Sequence, residues 1–121
     1  MKTLLQLNTS LFAAGGQSSQ LADKFVATWK ANNDDANVIV RDLASNPLPH
    51  LDAEHFLAYI AKPEERTARQ QELAAAADAL IEEIKATDVI VLGLPMYNFG
   101  APSTLKAYFD RIARAGVTFR Y

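Results

Sequence analysis

Two short stretches carry the side chains best suited to holding a ligand. In "NTSLFAAGGQSSQ" (residues 8–20), Ser10, Gln17, Ser18 and Ser19 supply hydroxyl and amide donors, and Gly15 and Gly16 let the backbone fold tightly against a bound group. The stretch runs directly into a helical pattern. The free N–H groups and positive dipole end of a helix start favour a phosphate dianion without help from a lysine. In "PMYNFG" (residues 95–100), Asn98 can present an amide to the polar edge of a ring, Tyr97 and Phe99 can border its face, and Gly100 allows close backbone approach. Each stretch also has a plain structural alternative: the first as a capped turn, the second as an apolar plug on the end of a core. The first lacks the Gly-Lys-Ser/Thr ending of a P-loop and the G-x-G-x-x-G fingerprint of dinucleotide sites. No Ser-His-Asp set or paired-carboxylate motif is present, so no catalytic side chain is nominated. With no cysteine in the chain, thiol catalysis, disulfides and cysteine-ligated metals are excluded, and redox work would need a cofactor.

The elements that must position these stretches follow from periodicity. Thr3 to Leu7 reads as a strand that stops at Asn8, Thr9 and Ser10. A helix follows from Ser18, with Ser18 or Ser19 as N-cap and Leu21, Phe25 and Trp29 recurring on its apolar side. Asn37 to Leu43 is a second strand, and a proline-rich connection after it has room for a short helix around Ala53 to Ile60. Thr67 and Gln70 have capping-box spacing ahead of a stripe of Leu73, Ala76, Ala77, Leu80, Ile81 and Ile84. Asp88 to Leu94 is a third strand, apolar without alternation, as burial on both faces requires. A last helix starts near Pro102 or Ser103, carries Leu105, Phe109 and Ile112 on one side, and ends at Gly116.

Strand and helix alternate three times, which implies an α/β fold with a doubly wound parallel sheet. In the order 2-1-3-4-5 the third strand is central, and the ends of strands 1 and 3 flank one crevice. That brings the two stretches face to face, and a phosphate nest opposite an aromatic-amide wall suits flavin mononucleotide (FMN). Order 2-1-3 is present, while strands 4 and 5 have no counterpart, leaving the most apolar strand on an open edge. We therefore expect residues 1–121 to be a single domain truncated on its C-terminal side, unless another chain covers the edge. A complete three-strand domain is the plainer alternative.

The run "PMYNFGAPSTLKAYFDRIARAGVTFRY" closely resembles the signature of the FMN-dependent NADH-azoreductases, within the flavodoxin-like NAD(P)H:quinone oxidoreductases. The resemblance extends through "GGQSSQLA", "VIVRDLASNPLP" and "TARQQELAAAADALIEEIKATDVIV", and so over essentially the whole chain. It implies a flavodoxin-like domain in which Ser10 and Gly16, Gln17 and Ser18 hold the FMN phosphate and ribityl chain, and Met96, Tyr97, Asn98 and Phe99 line the ring. It further implies ping-pong hydride transfer from NADH to quinones or azo compounds at a homodimer interface, with Tyr59 and Tyr121 as candidates for the substrate pocket. The family's third flavin-contacting loop and C-terminal helix have no counterpart in this sequence.

Other readings are weaker. The formal net charge of -2, with lysines and arginines scattered among acids, argues against nucleic acid as a partner. It also gives little of the acidic face of a flavodoxin-like electron carrier, which together with a non-catalytic fragment is the alternative function. No apolar run approaches the ~18 residues of a membrane span, and we expect a soluble protein in the cytoplasm. His50 and His55, flanking Asp52 and Glu54, match no zinc spacing and read as surface histidines, not a metal site. Trp29 reads as core packing. Arg111, Arg114 and Arg120 read as a solvated helix face and chain end.

Overall fold

The computed structural model describes residues 1–10, 17–94, 103–114 and 117–118. Three strands, β1 (Thr3–Asn8), β2 (Asn37–Asp42) and β3 (Val89–Gly93), alternate with four helices: α1 (Gln17–Ala31), α2 (Ala53–Ile60), α3 (Ala68–Lys85) and α4 (Ser103–Ile112). The strands form one parallel sheet in the order β2-β1-β3, the expected α/β, flavodoxin-like order. The chain divides into two compact units.

The first unit comprises residues 1–48 and 86–106. Its centre is β1, where Leu4, Leu5 and Leu7 are fully or almost fully buried because the strand has a neighbour on each side. Thr3 pairs with Asn37, Leu4 with Val89 and Asn8 with Gly93, so the ends of β1 and β3 are level. Asp88 closes the other end: its N–H donates to Thr3 O and its Oδ2 accepts from Thr3 N, both at 2.8 Å.

Several expectations about facing are corrected. Ser18 and Ser19 lie inside the first turn of α1, which begins at Gln17, so neither is its N-cap. The buried stripe of α1 is Ser19, Ala22 and Val26, while Leu21 and Phe25 are 68% and 55% exposed and Trp29 is half-buried. Packing close to a strand selects the small side chains, one helical position away from the large ones. β3 alternates half-buried and exposed residues, with Ile90 and Leu92 exposed, because β1 is its one strand neighbour among the described residues. On α4, Phe109 is exposed and the buried set is Leu105, Ala107, Tyr108 and Arg111. The helix stops at Ile112, ahead of Gly116, which lies outside the described residues.

The second unit comprises residues 49–85 and 107–121. Helices α2 and α3 pack together across a 3-10 turn at Pro63–Glu65. The Thr67 capping box forms reciprocally: Thr67 N donates to Gln70 Oε1 at 3.0 Å, and Gln70 N to Thr67 Oγ1 at 3.2 Å. Leu73, Ala74, Ala77, Leu80 and Ile81 are the buried face of α3, with Ala74 in place of the expected Ala76. His55 is buried, not a surface histidine, and Arg111 is only 4% exposed, not solvated. Asp52 caps α2 by accepting from His55 N at 2.9 Å, and the His55 Nδ1 lies 2.5 Å from the same carboxylate oxygen. The His55 backbone N–H and then its side chain hold the Asp52 carboxyl below the ordinary aspartate range. A depressed carboxyl pKa stabilises the fold above the unfolded value, and that contribution disappears as pH falls through the folded value. Asp52→Asn should therefore flatten the decline of the thermal midpoint below about pH 4, measured by circular dichroism from pH 7 downward; an unchanged acid limb would refute the assignment.

Candidate functional site

The C-terminal ends of β1 and β3 meet where the order of the sheet reverses, the place where open α/β sheets bind ligands. Asn8, Thr9 and Ser10 are all buried there. Thr9 Oγ1 donates to the Gly93 carbonyl at 2.8 Å, across 84 residues of sequence, and ties the two strand ends together. Gly93 allows α1 to come close. A Cβ on it would lie 3.0 Å from Asn8 Oδ1, 3.3 Å from the Ser18 carbonyl oxygen and 3.6 Å from Ala22 Cβ.

The first turn of α1 carries the donors. The hydroxyls of Ser18 and Ser19 are shut off from water and find no hydrogen-bond partner among the described residues. A buried hydroxyl without a partner costs roughly 1–3 kcal/mol, and a helix start brings unbonded N–H groups to the same place. Two sealed hydroxyls at a dipole's positive end are chemistry that a phosphate such as that of a flavin mononucleotide would satisfy, and Ser10 is buried at the end of β1. Gln17 is exposed and lines an open groove of about 470 Å³ with Gln20, Leu21 and Lys24. Gly16, Met96, Tyr97, Asn98, Phe99 and Tyr121 lie outside the described residues.

Tyr59 belongs to the second unit. The Arg114 guanidinium lies 5.1 Å from its ring centroid, and the His55 ring meets it edge-on at 6.3 Å. Arg114 in turn pairs with Asp78, and Arg111 donates through Nη2 to the Pro49 carbonyl. Burial raises the Tyr59 pKa against the opposing pull of Arg111 and Arg114, and its hydroxyl has no partner among the described residues. Within this unit the ring packs against Arg114, while Arg111 is held by the Pro49 carbonyl, and neither arginine is the solvated charge expected from sequence.

Residues that motif reasoning passed over prove central. Gln6, 2% exposed on β1, donates through Nε2 to Asp23 Oδ1 on α1 at 2.7 Å and to Asn8 Oδ1 at 3.1 Å. The available signal was a pair of amides two residues apart in an apolar strand, which puts both on one face. Because Gln6 holds Asn8 Oδ1, that atom cannot yield freely to a new Cβ. Gly93→Ala should lower stability by about 1–3 kcal/mol, read from urea denaturation; a variant as stable as the parent would show that the close approach is not required.

The flavodoxin-like fold family matches over residues 1–121. The FMN-dependent NADH:quinone oxidoreductase of Cellvibrio japonicus (strain Ueda107) is 56% identical over the whole chain, which spans 61% of that relative. FMN-dependent NADH:quinone oxidoreductase 6 of Burkholderia lata is 51% identical with the same coverage. The chain thus spans about three-fifths of the length of these curated relatives. Among solved structures, an azoreductase from Bacillus anthracis str. Sterne superposes with a TM-score of 0.88 at 26% identity, covering 100% of this chain and 60% of that one. Sheet order, strand-end geometry and a match over every residue agree: the chain belongs to the flavodoxin-like fold family.

Proposed function

We propose that residues 1–121 form the FMN-cradling domain of an FMN-dependent NADH:quinone oxidoreductase that also cleaves aromatic azo compounds. Relatives at 56% and 51% identity bear the quinone oxidoreductase name, and a structural neighbour bears the azoreductase name. The observation that carries the reading is the pair of sealed hydroxyls of Ser18 and Ser19 in the first turn of α1, without a hydrogen-bond partner among the described residues, beside the level ends of β1 and β3.

Bound FMN would supply two-electron hydride chemistry that no side chain of this chain can perform. The protein's own part is binding and orientation. Ser10, Gln17 and Ser18, with the backbone of Gly16, hold the phosphate and ribityl chain, and the first-turn N–H groups of α1 neutralise phosphate charge. Met96, Tyr97, Asn98 and Phe99 border the ring and leave one face to NADH and the quinone or azo substrate in turn. Catalysis by placement of a cofactor asks for no nucleophile. Tyr59 and Tyr121 belong to the substrate pocket of a homodimer working in the cytoplasm. No described helix is long and apolar enough to cross a membrane.

Titration of the chain with FMN, followed by flavin fluorescence, should give saturable binding, and NADH should then be oxidised steadily when a quinone is added. Absence of FMN binding would overturn the proposal; binding without NADH oxidation would favour an electron carrier. Ser18→Ala should raise the FMN Kd by about ten- to a hundredfold, the effect of one hydrogen bond to a charged group. An unchanged Kd would remove Ser18 from the phosphate set.

A further inference from the structure

We infer that Gln6 and Asp23, outside any ligand-contacting loop, set the height of α1 against the sheet and thereby the placement of its phosphate-binding turn. The inference rests on the FMN reading above and extends it to residues that touch no ligand. The sheet-facing stripe of α1 is Ser19, Ala22 and Val26, three small side chains. A face this smooth gives adhesion but resists sliding poorly, because it lacks large ridges to lodge in grooves. The Gln6 to Asp23 hydrogen bond is directional and charge-assisted, with its donor buried and its acceptor on an exposed residue at the helix margin.

The spacing of the contacts supports a two-point anchorage. The lower point is Gln6 against Asp23. The upper point is Gly93, level with Asn8, where the backbone of Ser18 comes close. Gln6 and Asn8 are two residues apart on a strand, about 6.6 Å. Ser18 and Asp23 are five apart on a helix, about 7.5 Å. The two rises agree to within about 1 Å, so the first turn of α1 stands near the level of the strand ends when Asp23 is fastened to Gln6. The second amide proton of Gln6 goes to Asn8 Oδ1, which joins the two anchors into one network.

Breaking the lower anchor while keeping volume should leave the fold intact and displace the turn. The test compares FMN with riboflavin, which carries the same ring without the phosphate. In Gln6→Met and in the surface variant Asp23→Ala, the FMN Kd should rise by about tenfold, while the riboflavin Kd stays near the parent value and circular dichroism shows an intact fold. Asp23→Asn, which keeps an acceptor, should bind FMN like the parent. Equal losses for FMN and riboflavin, or no loss for either, would overturn the inference and leave the network a packing feature. Should Gln6→Met fail to fold, Asp23→Ala decides the matter from the surface. If the parent itself binds no FMN, the functional reading fails first, and that outcome is distinct from a parent that binds while its variants bind equally well.

Discussion

Everything at the candidate site depends on how closely two backbones can approach at Gly93. Parallel strands that end at the same level create a crevice, but they do not bring a helix start to its rim. Here the missing side chain of Gly93 leaves room for the Ser18 carbonyl and the Ala22 methyl, and the Thr9 hydroxyl locks the strand ends from within. A small-residue helix face, a glycine in a strand and a threonine at the next strand's end are one solution to a single steric demand.

That demand explains which parts of the fold were legible in the sequence. Sheet order and helix positions follow from apolar periodicity and cap spacing, and Ala53–Ile60 and the Thr67–Gln70 capping box were readable to the residue. The facing of α1 was not. Leu21 and Phe25 recur at helical spacing as convincingly as Ala22 and Val26, and hydrophobicity favours the larger pair. The choice is made by a strand some seventy positions further on, which no local window contains. The apolar run of β3 reads as burial on both faces, yet Ile90 and Leu92 are exposed, while the open edge on which the strand lies was legible from the order 2-1-3.

The site divides along the same line. Ser18 and the strand ends could be located by topology, since the loops of a parallel sheet must open on one side. Gln6 and Asp23 could not be paired by any motif, because their relation is a matter of helix height on a sheet. The arginines of α4 and just beyond it failed as surface residues for a comparable reason. Arg111 and Arg114 find a backbone carbonyl, an aromatic face and the carboxylate of Asp78 within their own unit, and helical charge patterns say nothing about partners so distant in sequence.

The placement of Trp29 has a practical consequence. It is the single tryptophan of the chain, half-buried near the end of α1 in the unit built around the sheet. Tyr59 and Tyr108 lie in the other unit. Intrinsic emission excited at the red edge therefore senses one unit, while tyrosine absorbance is weighted towards the other. The protein carries its own pair of optical labels, and coincidence or separation of their melting curves would tell whether the two units come apart as one cooperative body.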